Sequence, residues 1–257
     1  MTTPETTRAG LGAFYGAFSS DPLLREFYAD SGYANFGYWR AGTTSAAEAG
    51  DNLVDALLDR VTTPVATVLD VACGAGATTR RAGARLHGAR LTGIGLSLGQ
   101  LLEARRRAPA AQFAHMDATQ LAFARHSFDL VLCVEAAFHF VTRARFFAEA
   151  LRVLTPGGTL VLSDLLMACG TLLTPPENHL ADASDYARLL TRAGFRDVSV
   201  ADVTATTWRA YRRHLTAFIA RRPSPGSIGF RDLVAANVVC AWAVRQCVLV
   251  SARKPVD

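Results

Sequence analysis

Lysine is almost absent from this chain: Lys254 is the only one in 257 residues, and arginine carries nearly all of the net charge of +5. A phosphate-cradling loop ending in Gly-Lys-Ser/Thr is therefore excluded. Cysteine is scarce and poorly spaced. The five, Cys73, Cys133, Cys169, Cys240 and Cys247, are odd in number and form no Cys-x-x-Cys pair, which argues against a disulfide frame and a zinc site. Reduced, buried thiols are expected instead, Cys73 and Cys133 included. No stretch approaches the roughly 18 uninterrupted apolar residues of a membrane helix. The opening MTTPETTRAG lacks a basic region followed by an apolar one, so a cytoplasmic protein is expected rather than a secreted one. The arginine clusters at 105–107, 212–213 and 221–222 lack interleaved aromatics, so solvated helix faces are expected there and nucleic-acid binding is not.

What is present is half hydrophobic, enough for one sizeable domain with a buried core, without internal repeats or long linkers. Leu53, Val54, Leu57 and Leu58 recur at helical spacing, and from Val65 to about Val203 apolar strands alternate with helical stretches. That alternation predicts an α/β fold, a doubly wound, mostly parallel sheet with helices on both faces. Ligands of such sheets bind beyond the carboxyl ends of the strands, where Asp70, Gly95, Asp117, Glu135 and Asp164 are expected to emerge.

The most informative run is TVLDVACGAGATTR, residues 67–80: a short strand closing on Asp70, a turn with Gly74 and Gly76, then a helix. Glycines there let backbone N–H groups lie against a nucleotide at the positive end of the helix. A dinucleotide fingerprint asks for a third glycine and an acid about 20 residues on. Thr79 and Gly95 stand in those places, so the nicotinamide reading is demoted.

From these residues onward the chain resembles the class I S-adenosylmethionine-dependent methyltransferases of the small-molecule, natural-product-tailoring type, the group that includes ubiquinone-biosynthesis-like enzymes. VLDVACGAG resembles the first motif, LTGIGLSLGQL the segment after the second strand, AHMDATQ the third-strand motif, HSFDLVLCVEAAFHF the fourth, and LRVLTPGGTLVLSD the fifth strand with its Pro-Gly-Gly turn. The resemblance implies S-adenosylmethionine as cofactor and S-adenosylhomocysteine as product. Asp70, Ala72, Gly74, Gly76 and Thr78 would receive the methionine end and adenosine side. Asp117 and Ala118 would meet the adenine, and Val134 and Glu135 would line the methionine side. The usual ribose-binding acid is replaced by Gly95, leaving Leu96, Ser97 and above all Gln100, which has both donors and an acceptor, to serve the ribose. The resemblance further implies a Rossmann-like sheet of seven strands with the last antiparallel.

Two segments fall outside the alternation. Residues 1–50 are expected as an N-terminal helical lid, whose Tyr33, Phe36, Tyr38 and Trp39 either cover the pocket or dock the first helix. By the resemblance Tyr33 and Tyr38 lie over the cofactor. The core would span 51–205, and a helical cap, 206–243, would follow, made of TWRAYRRHLTAFIARR and FRDLVAANVVCAWAV about the breaker PSPGS, before a final strand at 244–257. Trp208, Phe218 and Ile219 of the cap would line a hydrophobic substrate pocket, a dimer face or the core; a homodimer stays open.

Methyl transfer to oxygen is an in-line displacement in which positioning is most of the catalysis and a base removes the acceptor's proton. His139 is the best-placed histidine, and its counterpart is the base in related glycoside and polyketide O-methyltransferases; Asp164 resembles the acid that pairs with it. A satisfied structural histidine is the competing reading. His179 is a rival on a loop, His115 is expected to be structural, and His87, His126 and His214 are expected at the surface. Asp164, Glu135 and His139 could cluster about a metal, but no ligand spacing argues for one. The expectation is a methyltransferase acting on a small, hydrophobic or glycosylated secondary metabolite, most simply on oxygen. C- or N-methylation, a cyclase of the same fold, and a non-catalytic binding module are the alternatives.

Overall fold

The computed structural model describes residues 21–168, 174–221 and 243–256. The first twenty residues of the expected lid, Cys169, Cys240, the PSPGS breaker and all of the second cap helix but Ala243 and Val244 lie outside the described residues, and Val244 belongs to the last strand rather than to a helix.

The elements in chain order are α1 (Pro22–Phe27), α2 (Ala46–Leu58), β1 (Thr67–Val71), α3 (Ala77–Arg85), β2 (Arg90–Gly95), α4 (Leu98–Arg107), β3 (Gln112–His115), β4 (Phe128–Val134), α5 (Arg143–Val153), β5 (Leu154–Met167), α6 (Ala183–Arg192), β6 (Arg196–Asp202), α7 (Trp208–Ala220) and β7 (Val244–Arg253). The seven strands lie in one sheet in the order β3-β2-β1-β4-β5-β7-β6. All neighbours are parallel except β7, which runs antiparallel to both β5 and β6.

Successive strand residues point to opposite faces, so a strand covered on both sides must be apolar throughout. The central strands follow this except at buried Asp70 in β1 and buried Thr159, Ser163 and Asp164 in β5. Val68, Leu130, Leu132 and Val161 join α2 and α7 in one buried cluster, while Leu69, Val131, Cys133, Leu160 and Leu162 join α5 and α6 in another. Helix starts carry oxygen caps: Ser45 Oγ accepts from Glu48 N, Thr142 Oγ1 from Arg145 N, and Asp182 Oδ1 from Ser184 N and Asp185 N.

Much of the arginine has specific partners. Arg80, Arg81 and Arg85 of α3 pair with Asp51, Asp55 and Asp59 along α2, fixing the two helices side by side. Arg107, expected on a solvated face, instead donates from Nη1 to Ala75 O (2.5 Å) and from Nη2 to Asp30 O (3.3 Å). β5 does not stop at Asp164 but continues to Met167, because β7 pairs with it that far, Met167 opposite Val244.

Of the cap residues named from the sequence, Trp208 belongs to the core and the other two are half-buried against it. Trp208 is buried, and Phe218 and Ile219 pack against the same cluster, Phe218 with its ring 5.2 Å from that of Phe27. None of the three lines the cavity described next. Phe36 likewise lies against Trp208 and Tyr211, and Trp39 stacks on His214, which is therefore half-buried rather than at the surface.

Candidate active site

A cavity opens beyond the carboxyl ends of β1, β2 and β4, beside the point where strand order reverses between β1 and β4. Its floor is the β1–α3 turn. Ala72, Gly74 and Gly76 have φ of 57°, 53° and 85°, a left-handed succession that turns the chain sharply out of the strand and into α3. A Cβ built on Gly74 would meet nothing within 4 Å, because Gly74 faces the open cleft.

Ala72, Gly74, Thr78, Leu96, Ser97, Gln100, Asp117, Ala118, Val134, Glu135 and Tyr33 all line this one cavity, and so does His139. Ser97 Oγ also caps α4 by accepting from Gln100 N. Asp117 Oδ1 accepts from Thr119 N (2.7 Å) and Thr119 Oγ1 (2.8 Å), which fixes the carboxylate at the strand end. His139 is buried in a single 3-10 turn, residues 137–139, its ring 3.7 Å from that of Phe138. His179, His87 and His126 are exposed and outside the wall, and His115 Nε2 lies 3.0 Å from Leu96 O.

Four expected site residues lie elsewhere. Asp70 is behind the turn, 1 % exposed, its Oδ2 accepting from Thr79 Oγ1 at 2.5 Å. Burial lifts its carboxyl to about 7, against the pull of the Thr79 hydroxyl. Gly76 faces α4, where a Cβ would lie 2.7 Å from Ala104 Cα; it permits helix contact rather than ligand contact. Tyr38 packs against the core with Arg40 over its ring. Asp164, fully buried, accepts at Oδ2 from Arg143 Nε (2.7 Å) and Tyr186 Oη (2.8 Å) and at Oδ1 from Phe138 N (3.0 Å). It is committed to these groups instead of the His139 imidazole.

The lid segment both covers and docks. Tyr33, Ala34 and Asn35 form part of the cavity wall, Tyr33 donating from its hydroxyl to Asp51 Oδ1 at 2.7 Å. Phe36 N donates to Glu135 Oε2 at 2.8 Å, tying the segment to the end of β4. Glu135 has φ of 47°, and burial raises its carboxyl to about 8; the Phe36 amide opposes this and the nearby Asp164 charge adds to it. Met116, Phe140 and Val141 also line the cavity without having been expected as site residues, and Asn35, which opens the Asn-x-Gly-Tyr-Trp stretch that the resemblance puts over the cofactor, lines it too. Met116 and Phe140 had a neighbouring signal, standing directly beside Asp117 and His139. Among the described residues, no group of three or more His, Cys, Asp or Glu side chains is placed to hold a metal ion, so Asp164, Glu135 and His139 form no such cluster.

A doubly wound sheet with a glycine turn and an acid-tipped third strand opening on one cleft defines a Rossmann-like, nucleotide-cofactor enzyme. Residues 69–162 match the methyltransferase domain family. The chain is 32% identical over 192 residues to the O-methyltransferase cnsE of Penicillium expansum, covering 67% of this chain and 68% of that protein. It is 31% identical over 221 residues to the erythromycin 3''-O-methyltransferase of Saccharopolyspora erythraea, covering 74% and 69% respectively. Among solved structures, the [4+2]-cyclase SpnF superposes with a TM-score of 0.77 at 25% identity, covering 98% of this chain and 97% of that one. This chain belongs to the class I S-adenosylmethionine-dependent methyltransferases, in the small-molecule, natural-product branch. S-adenosylmethionine is its cofactor, and the open space over Gly74, flanked by Asp117 and Gln100 on one side and Val134 on the other, suits that group.

Proposed function

We propose that this enzyme methylates a hydroxyl of a small hydrophobic or glycosylated secondary metabolite, with His139 as general base. The observation that carries this is the burial of His139 in the wall of the same cavity that the glycine turn floors. When bound, the cofactor supplies a methyl group already activated on sulfur. The protein's part is to hold it and to present the acceptor in line. Gly74 and Ala72 would carry the methionine end, Gln100 and Ser97 the ribose in place of an acid at Gly95, and Asp117 with Ala118 the adenine. His139 would take the acceptor's proton as its oxygen becomes an ether. The O-methyltransferase activity in the names of both relatives supports oxygen over carbon or nitrogen.

The likeness to SpnF over nearly the whole chain favours a second reading, a cyclase that binds the cofactor without consuming it. Incubation with methyl-labelled S-adenosylmethionine and a panel of hydroxylated polyketides and glycosides separates the two. Label in an ether and stoichiometric S-adenosylhomocysteine are expected; an unlabelled, cyclised product with the cofactor intact overturns methyl transfer. His139→Ala is expected to lower kcat about a hundredfold or more while cofactor affinity stays within about twofold. Wild-type turnover in that variant would leave catalysis to positioning alone.

A further inference from the structure

Arg143 is the largest side chain sealed away completely among the described residues, 1 % exposed, and it does not reach the cavity. Its Nε donates to Asp164 Oδ2, Nη2 to Leu165 O at 2.6 Å and Nη1 to Asn178 O. Taking both charges of such a pair out of water is costly, and apolar side chains of similar volume often stabilise a core as well. The pair's contribution lies in what it fixes.

It fixes the turn that carries His139. Asp164 Oδ1 accepts from Phe138 N, immediately before the histidine. Asn178, itself 2 % exposed, donates from Nδ2 to Phe138 O (3.1 Å) and Phe140 O (2.7 Å), on either side of it, and its Oδ1 accepts from Arg143 N at 2.8 Å. Two side chains from separate segments thus grip the backbone flanking His139, and one guanidinium joins them. The Tyr186 hydroxyl adds a further donor to Asp164.

We propose that Asp164, Arg143 and Asn178 are positioning residues that set the wall formed by His139, Phe140 and Val141 through its backbone, touching no reactant themselves. Asp164 then acts as an anchor for the turn and not as the acid of a His-Asp pair. The catalytic consequence rests on His139 being the base; the anchoring of the turn does not.

The test uses the full-length enzyme and the variants Asp164→Asn, Asn178→Ala and His139→Ala. It measures kcat, the cofactor dissociation constant, the pH dependence of kcat, and amide hydrogen exchange over residues 136–143. Asp164→Asn and Asn178→Ala are expected to lower kcat about ten- to a hundredfold and to speed exchange across the turn, with cofactor affinity held within about twofold. In Asp164→Asn the acid limb of the kcat profile is expected at the wild-type pH, since no carboxylate is removed from the imidazole. A limb moved down by about a unit or more would put Asp164 on the ring and overturn the proposal. Unchanged exchange and kcat in Asn178→Ala would overturn it as well. If His139→Ala turns over normally while Asn178→Ala still loosens the turn and slows kcat, the base assignment fails and the anchor stands. If His139→Ala is slow and Asn178→Ala is not, the anchor fails and the base stands. Should Asp164→Asn not fold, Tyr186→Phe, which removes one hydrogen bond and no charge, takes its place with the same expected signs.

Discussion

Asp70, near the end of β1, and Glu135, just after the neighbouring β4, sit in different surroundings, and both prefer their protons. Asp70 ionises near 7 in the folded chain against an ordinary 3.8, because it is buried with one hydroxyl for company. The folded state therefore keeps a proton that the unfolded state has released. The associated stability is fully present below about pH 4 and falls as pH rises through 7, by up to about 4 kcal/mol at 1.4 kcal/mol per unit. Glu135, raised from 4.5 to about 8, adds a slope of the same sign. Asp70→Asn keeps an oxygen for the Thr79 hydroxyl and is expected to flatten the loss of stability between pH 5 and 8 in urea titrations. A slope identical to wild type would contradict the burial argument. Sequence showed Asp70 as an acid at a strand end, but not its direction. Side chains alternate along a strand, so a one-residue shift in where β1 gives way to the turn decides between cleft and helix, and VLDVACG marks no sharp stop. Asp117, Glu135 and Gln100 were legible because they follow an apolar run directly or open a helix.

The two glycines of the β1–α3 turn separate ligand space from packing space. Gly76→Ala places a methyl 2.7 Å from the Ala104 backbone at φ of 85° and is expected to cost about 2 kcal/mol or more, read as a fall in Tm. Gly74→Ala meets the strain of a left-handed φ of 53° but no clash, since an empty cleft lies before it, so Tm is expected to fall by a few degrees, less than for Gly76→Ala, while the cofactor dissociation constant rises about tenfold or more. Equal effects of the two on Tm would mean that the cleft lies elsewhere. At this scale the sequence was most readable. Apolar runs gave the strands, and the β6–β7 pair is antiparallel as the resemblance implied. The end of β5 was hidden, since its last residues are strand only because β7, some 80 residues later, lies beside them. The cap was hidden for a related reason: an amphipathic helix reports that one face is buried, not whether a ligand or a core covers it.

One buried cluster runs from Leu24 and Trp39 through Leu53 and Val68 to Tyr211 and Leu249, joining lid segment, sheet, α7 and the final strand. The expected partition at residues 50, 205 and 243 therefore crosses continuous packing. Trp39 and Trp208 sit at that junction, and urea unfolding followed by their fluorescence is expected to coincide with far-UV circular dichroism in a single transition. An earlier fluorescence change would show that the lid and α7 come away from a surviving sheet. The same continuity has a kinetic side. Arg107 holds Ala75 in the floor of the cleft and Asp30 at the start of the segment above it with one guanidinium. Escape of a bound molecule and loosening of the floor are thereby geared together, and Arg107→Lys, whose single ammonium lacks the fork to span both carbonyls, is expected to hasten cofactor departure in stopped-flow traces without altering the encounter rate.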